Sequence, residues 1–498
     1  GIAVNVPVWN PENCIQCNRC AYVCPHAVIR PVALTAEEAA NAPEGMKTLD
    51  LTGMKEYKFT MSVSALDCTG CGSCVNVCPG KKGAKALAME NLEASADEQK
   101  YFDYTVKLPV KEDVIAKFKE ATVKGSQFKQ PLLEFSGACA GCGETPYAKL
   151  ITQLFGDRMY IANATGCSSI WGNSSPSTPY TVNAKGQGPA WSNSLFEDNA
   201  EFGYGMLLAQ RAIRDGLKAK VEDVVANGTN EDVKAAGQEW LDTFAVGATN
   251  GAATDKLVAA LEACGCDKAK EILAQKDFLA KKSQWIFGGD GWAYDIGFGG
   301  VDHVLASGRD INVMVFDTEV YSNTGGQSSK STPTGAIAQF AAGGKETKKK
   351  DMASIAMSYG YVYVAQISMG ADFNQTVKAI AEAEAYPGPS LIIAYAPCIN
   401  HGIKKGMAKA QTEEELAVKV GYWHNFRFNP AAEGNKFSLD SKAPSMEDYQ
   451  AFLDGEVRYN SLKRQNPEKA ARLFAKNEAE AKARFEYLQK LIALHSAE

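Results

Sequence analysis

The chain of 498 residues has only five His, none in a metal-spaced pair, so a site built on paired histidines is not expected. His401, after Cys398, reads as a hydrogen-bonded loop residue. No window approaches 18 uncharged apolar residues; the strongest candidate, Leu391 to Ala396, stops at Pro397, so no membrane span is expected. Neither sign of charge dominates, because 52 Lys+Arg against 58 Asp+Glu leave a net charge of −6. There is no basic field to attract nucleic acid or an anionic membrane. The N-terminus, Gly-Ile-Ala-Val-Asn-Val, lacks an initiator Met, a basic region and an apolar h-region. It reads as an internal cut in a longer chain, not as a signal peptide.

What is present is a folded composition, 45% apolar and 22% charged, with 14 cysteines. Without a secretory signal a disulfide framework is not expected, and metal or redox ligation in a reducing, cytoplasmic compartment is. Eight cysteines form two copies of one run. The first is Cys14, Cys17, Cys20 and Cys24 before Pro25; the second is Cys68, Cys71, Cys74 and Cys78 before Pro79. This is the bacterial two-cluster ferredoxin pattern, in which three thiolates clasp one cube and the fourth crosses to the other. It assigns Cys14, Cys17, Cys20 and Cys78 to one [4Fe-4S] cluster and Cys68, Cys71, Cys74 and Cys24 to the other. Zinc knuckles would not need two duplicated runs ending in Cys-Pro.

At about 150 residues per domain the length suggests about three domains. Residues 1–112 are expected to form a small α+β two-cluster domain, with an insertion from Pro25 to Asp67 that contains a helix at Thr35–Glu38 and a strand at Tyr57–Val63. The Lys-rich stretch after Lys81 reads as an exit strand and a linker. Residues 113–445 alternate short apolar strands with Ala-rich helices, an α/β doubly wound domain on a mostly parallel sheet. Trp285–Phe287, Ile311–Phe316 and Leu391–Tyr395 read as buried parallel strands. Residues 446–498 form a helical tail. Asn466-Pro467 opens a long helix whose stripe of Leu473, Phe474, Ala481, Phe485, Leu488 and Ile492 docks on the body or on a partner subunit.

Ligands of such sheets bind at the carboxyl ends of the strands, where the informative residues fall. Gly289-Asp290-Gly291 ends one strand, and the next runs into Asp317-Thr318-Glu319-Val320-Tyr321-Ser322-Asn323-Thr324. Gly-Asp-Gly alone is an ordinary turn, but the pairing resembles the Mg²⁺-diphosphate motif of thiamine diphosphate (TPP) enzymes. A carboxylate from Asp290, a hydroxyl from Thr318 and the Val320 carbonyl would join two diphosphate oxygens and a water around the octahedral ion. Glycines let the backbone approach the phosphates, and the following helix offers its N-terminus. Four further cysteines, Cys139, Cys142, Cys167 and Cys398, lie on loops after α/β elements. By spacing they suit a third cube, a zinc site or four buried thiols equally. Cys264 and Cys266 match no cluster pattern and read as free thiols; Lys345 to Lys350 reads as a solvated charge run.

Longer motifs carry a resemblance. Cys139 to Tyr147, Gly166-Cys167-Ser168-Ser169-Ile170-Trp171-Gly172 continuing to Pro176–Tyr180, Gly188–Trp191, Glu197–Glu201 and Tyr321–Gln327 together look like pyruvate:ferredoxin oxidoreductase, over most of the chain. The chain resembles the C-terminal part of that enzyme, and the resemblance implies three [4Fe-4S] clusters, TPP and Mg²⁺. It assigns Cys139, Cys142, Cys167 and Cys398 to the cluster nearest TPP, Asp290, Thr318 and Val320 to the metal, and Gly166, Gly289, Gly291 and Asn323 to the cofactor site, with Asn323 also at the substrate. Pyruvate and coenzyme A would be consumed to give acetyl-CoA and CO2, with electrons leaving to ferredoxin or flavodoxin. The carboxylate that activates the aminopyrimidine is not in these residues. An N-terminal half, from the same precursor or a second chain, would supply it within a homodimer of the full enzyme. Another 2-oxoacid such as 2-oxoglutarate is the alternative substrate. A pure electron-transfer module would have no use for the Asp290 and Thr318 loops, and a non-redox decarboxylase none for twelve paired thiolates.

Overall fold

The structure, a computed structural model, describes residues 1–173 and 177–496. Its first part is built on two small antiparallel sheets. β1 (Asn5–Trp9) pairs with β5 (Leu87–Asn91), and β4 (Lys58–Val63) lies between β2 (Ile29–Leu34) and β3 (Leu49–Asp50). Thr35 caps the helix Ala36–Ala40 with a reciprocal capping box to Glu38, as Thr-x-x-Glu favours. The stretch after Lys81 is not a linker. Beyond β5 it forms the helix Asp97–Thr105, which buries Phe102 and Thr105, and Thr105 shares a 2.8 Å hydroxyl contact with Ser62 of β4. Its apolar positions were hidden by charged neighbours. The core of this part, with Val6, Trp9, Phe59 and Val63, extends to Val114, Ile115 and Phe128.

The remaining eight strands form one sheet. In chain order they are β6 (Met159–Ala164), β7 (Ala190–Ser194), β8 (Ser283–Gly289), β9 (Ile311–Asp317), β10 (Tyr363–Ile367), β11 (Pro389–Tyr395), β12 (Phe426–Phe428) and β13 (Phe437–Leu439). Their spatial order is 13-12-10-11-9-8-6-7, parallel from β10 to β7, with β12 and β13 antiparallel at the edge. Alternate residues feed two apolar layers. Ile286, Val313, Val315, Leu391 and Ile393 join one, while Trp285, Phe287, Met314, Phe316 and Ile392 join the other. Burial on both faces is why these strands are continuous apolar runs.

Between β7 and β8 the chain leaves the alternation for four helices, Asn199–Asn227, Glu231–Asp242, Gly247–Cys264 and Asp267–Leu273. They close their own core around Leu217, Trp240, Leu257 and Leu261. The helix Pro467–Leu494 is capped by the Asn466 side chain and packs Leu473, Phe474, Leu488 and Leu491 into the first sheet layer. The tail docks on the body of its own chain. Among the described residues no helix is long and apolar enough to cross a membrane.

The first part docks on the sheet body through specific bonds. Tyr22 Oη donates to the Phe373 carbonyl at 3.1 Å, Asn76 Nδ2 to Thr412 Oγ1 at 2.8 Å, and Arg30 pairs with Glu134. Tyr22 and Val23 enter the second apolar layer beside Tyr147, Ala148 and Ile151.

Candidate functional site

The carboxyl edges of neighbouring strands gather the residues singled out above. β6 lies between β7 and β8, so the chain leaves β6 and β8 in opposite directions, a switch point of the kind at which such sheets take ligands. Gly166 and Cys167 follow β6, Asp290 follows β8, Thr318 and Val320 follow β9, and Cys398 follows β11.

Asp290, Thr318 and Val320 converge. The Thr318 hydroxyl lies 3.1 Å from Asp290 Oδ1 and 3.0 Å from the Val320 carbonyl oxygen, and the Thr318 N–H donates to Asp290 Oδ1 at 3.2 Å. Glu319 makes this possible by adopting a left-handed φ of +61°, an uncommon conformation for a side-chain-bearing residue. Ser329, which the sequence did not single out, donates its hydroxyl to Asp290 Oδ2 at 2.6 Å. Gly291 opens a π-helical turn, Gly291–Ile296, and a Cβ there would stand 2.6 Å from the Tyr321 ring, whereas one on Gly289 would meet nothing nearer than 3.8 Å. One glycine is required by close packing; the other leaves open space at the loop.

Behind this oxygen cluster lies a buried charge network. Lys349 Nζ bridges Asp317 at 2.8 Å and Glu319 at 2.9 Å. Arg458 binds Glu319 at 2.8 Å and Glu456 at 2.6 Å, and Tyr422 donates to Glu319 at 2.6 Å. Burial alone would raise Glu319, but Lys349 and Arg458 outweigh it and hold this carboxyl at about 2. His401 is indeed a hydrogen-bonded loop residue: it is fully buried, with Nε2 2.7 Å from the Thr318 carbonyl. The run Lys345–Lys350 is not simply solvated. Lys345 bonds the Ser329 and Thr332 carbonyls at 2.9 and 2.5 Å, and Lys350 bonds that of Tyr294 at 3.0 Å, because buried acceptors await them in the segment beyond β9 and in the Gly291–Ile296 turn.

Asp290 makes no ion pair with that network, though the charges of Asp317 and Lys349 reach it. Among the described residues it has no ion-pair partner, and its oxygens meet only the Thr318 and Ser329 donors. Burial, then the nearby Asp317 carboxylate, push its carboxyl well above the usual range. A fully buried carboxylate with no ion-pair partner among the described residues, faced by a hydroxyl and a carbonyl oxygen, is a donor set that suits a hard divalent ion.

The cysteines form three neighbourhoods. Cys20 feels Cys17, Cys14 and Cys78, and Cys68 feels Cys24 and Cys71; Cys74 feels Cys20 as well as Cys24, Cys71 and Cys68, so these two neighbourhoods adjoin. Burial, followed by these mutual fields, pushes the Cys20 and Cys74 thiols well up and Cys68 to about 12. Cys142, Cys167 and Cys398 share a third neighbourhood. Cys398 also feels Cys139 and is pushed by burial to about 12. Glu144 acts on three of these thiols; it is buried, raised to about 7, and accepts from Trp171 Nε1 at 2.6 Å. Thiols whose deprotonated forms would repel one another in a buried place suit a group that brings positive iron to them. Among the described residues no three His, Cys, Asp or Glu converge as a single metal ion would need. The cysteines stand as spread sets. Cys264 and Cys266 lie on the helical insertion with sulfurs 2.9 Å apart, in no cysteine set of the sheet edge.

The two kinds of site meet. Cys167 Sγ is 3.1 Å from Ser322 Oγ, on the loop that carries Thr318 and Val320. Asn400 Nδ2 reaches the Ser322 carbonyl at 3.2 Å and Cys398 Sγ at 3.6 Å. The Gly166 N–H donates to Ser169 Oγ at 2.9 Å, setting the loop before Cys167. Asn323 is exposed at the tip of the turn closed by the Gly326 N–H on the Tyr321 carbonyl, 2.9 Å. Pro176, part of the resemblance, lies outside the described residues.

Two family models match parts of the chain. Residues 245–394 match the model of the thiamine pyrophosphate enzyme, C-terminal TPP binding domain, and residues 13–82 match the 4Fe-4S dicluster domain. The chain is 58% identical to the pyruvate-flavodoxin oxidoreductase of Enterobacter agglomerans and 58% identical to the pyruvate:ferredoxin oxidoreductase of Moorella thermoacetica, in each case over 99% of this chain and 42% of that protein. It is 49% identical to the mitochondrial pyruvate dehydrogenase [NADP(+)] of Euglena gracilis, over 99% of this chain and 27% of that protein. The chain thus spans well under half the length of these curated relatives and is similar to the C-terminal part of the pyruvate oxidoreductases.

Proposed function

We propose that this chain is the cofactor-holding and electron-exporting part of a 2-oxoacid oxidoreductase. The full enzyme would oxidatively decarboxylate pyruvate with coenzyme A to acetyl-CoA and CO2, and would reduce ferredoxin or flavodoxin in the cytoplasm. The observation that carries this reading is the contact between Cys167 and Ser322, which sets one of the four scattered cysteines against the loop that bears the Thr318 and Val320 oxygens. TPP, when bound, supplies the electron sink that decarboxylation of a 2-oxoacid requires.

The chain's own residues have separable tasks. Asp290, Thr318 and Val320 would hold Mg²⁺, and through it the diphosphate, while the start of the Gly291–Ile296 turn offers backbone N–H groups to its charge. Lys349 and Arg458 clamp Glu319, and His401 holds the Thr318 carbonyl, so both loop oxygens are preorganised before any ligand arrives. Asn323, at the open tip, would reach cofactor and substrate. Cys139, Cys142, Cys167 and Cys398 would hold one [4Fe-4S] cluster, and the crossed sets of 1–112 two more. Exposed Leu195, Phe340 and Ile399 support the reading that an N-terminal half, and a second copy of the enzyme, complete the structure. We divide the chain into 1–112, 113–445 and 446–498 on the same reading, although Val114, Ile115 and Phe128 pack into the core of the first of these.

The test is metal and cofactor analysis of the anaerobically purified full-length protein, joined to a substrate assay. Three clusters, one TPP and one Mg²⁺ per active unit, with carrier reduction that needs pyruvate and CoA, are expected. TPP without the third cluster would remove the role given to the four scattered cysteines, and carrier reduction with 2-oxoglutarate in place of pyruvate would change the substrate.

A further inference from the structure

The helix Thr145–Phe155 begins three residues after Cys142, and one of its side chains leaves the sheet body altogether. Lys149 Nζ donates to the Ala21 carbonyl and, at 3.1 Å, to that of Tyr22. Both carbonyls sit in the first cysteine run between Cys20 and Cys24, residues assigned to two different cubes. Lys149 is 1% exposed, and among the described residues no carboxylate pairs with it. Arg30, whose charge acts on it, is itself held by Glu134.

A buried ammonium whose only partners are two carbonyls is costly unless a counter-charge is near. A cube held by four thiolates is a net anion and becomes more negative on reduction. Burial lowers Lys149, the fields of Cys24 and Cys20 oppose that drop, and it settles at about 8, still cationic at neutral pH. Helix geometry fixes the placement. Tyr147, Ala148, Leu150 and Ile151 around it are fully buried, so the side chain cannot swing to water.

We propose that Lys149 is a fixed cation between the two ferredoxin-type cubes that stabilises their reduced states, drawing electrons away from the third cluster toward the exit. The proposal rests on the reading of the two cysteine runs as cube ligands. Each cube gains one electron when reduced, and Lys149 neither gives nor takes a proton in that step.

The experiment is a potentiometric titration of the anaerobic full-length protein, with a low-potential chemical reductant supplying the electrons and paramagnetic resonance reporting each cluster. Lys149→Met removes charge and hydrogen bonds together; Lys149→Gln keeps a donor for the two carbonyls; Lys149→Arg keeps the charge. Both neutral variants should move the midpoints of the two cubes to lower potential, with a smaller shift in the third cluster, and Lys149→Arg should not. Loss of the two cubes from both neutral variants with retention in Lys149→Arg would equally support a charge requirement. Intact clusters with unmoved potentials, wild-type potentials in Lys149→Gln, or loss of the cubes in Lys149→Arg as well would overturn the proposal. Absence of the two cubes from the wild type would instead overturn the ligand reading on which it stands.

Discussion

Asp290→Asn should change stability in opposite directions with and without ligand. In the metal-free protein the Asp290 carboxyl is fully buried, has no ion-pair partner among the described residues, and is pushed up by burial and by Asp317, which the field of Lys349 only partly offsets. An amide of the same shape removes that repulsion and keeps an acceptor for the Thr318 donors, so the metal-free variant should be at least as stable as wild type, by up to about 1 kcal/mol. A ligand at about 100 times its Kd adds about 2.7 kcal/mol. Losing an outer partner of a metal costs up to about 100-fold in affinity, a floor for losing the one charged ligand. At that floor the added stability falls to about 0.4 kcal/mol. At about 2 °C per kcal/mol for a body of this size, the rise in Tm with Mg²⁺ and TPP should shrink from about 5 °C to about 1 °C. Thermal melts of metal-free protein, with and without Mg²⁺ and TPP, read both halves, and the visible absorbance of the clusters should be unchanged. A full ligand-dependent rise in the variant, or a metal-free variant weaker by several kcal/mol, would refute the reasoning.

Three further outcomes follow from other parts of the chain. Cys24→Ala should damage the cluster of Cys68, Cys71 and Cys74 and spare that of Cys14, Cys17 and Cys20; paramagnetic resonance of the reduced protein showing the reverse would defeat the crossed assignment. Arg458→Met leaves Glu319 and Glu456 without their shared buried cation and should cost about 3–5 kcal/mol in denaturant melts, with TPP affinity falling as the Thr318 loop loosens. Burial and Arg484 lower His424 from 6.5 to about 4. The unfolded chain therefore takes up its proton first, and stability from this residue is present above pH 6.5 and lost as pH falls through 4, by about 3 kcal/mol in all. His424→Leu should flatten that limb of the stability profile, and an unchanged slope would show that His424 is not its source.

The parts legible in the sequence are those where one constraint dominates. β8, β9 and β11 are buried on both faces, so Trp285–Phe287, Ile311–Phe316 and Leu391–Tyr395 had no alternative reading. The cysteine runs carry their proposed pairing in their spacing. Cys139, Cys142, Cys167 and Cys398 carry none, since only the strand order 11-9-8-6 brings the loops after β6 and β11 to one edge. Lys349 was illegible for a different reason. A lysine run looks solvated until Asp317 and Glu319 are placed at the end of β9, and then a cation inside becomes necessary. The helix Asp97–Thr105 and the four-helix insertion were missed because their apolar positions are sparse, and each gains its stability from the surface it covers.

Two loops and one helix join the proposed chemistry to electron exit. Ser322 and Asn400 link the Thr318 loop to Cys167 and Cys398 through contacts of 3.1 to 3.6 Å, so a ligand beside Asp290 and a cube beside Cys167 would have one loop between them. On the far side, Lys149 lies four residues beyond Thr145, about 6 Å of helix rise, and ends against the carbonyls between Cys20 and Cys24. Each step therefore crosses a few residues of tightly packed chain. The second step also depends on how the first part of the chain sits on the sheet body, since Lys149 belongs to one and its acceptors to the other. Apolar contact alone is non-directional and would let the two slide by fractions of an ångström. Tyr22 on Phe373, Asn76 on Thr412 and Arg30 on Glu134 fix direction as well as distance. That is the property an electron path across the junction of these two parts requires.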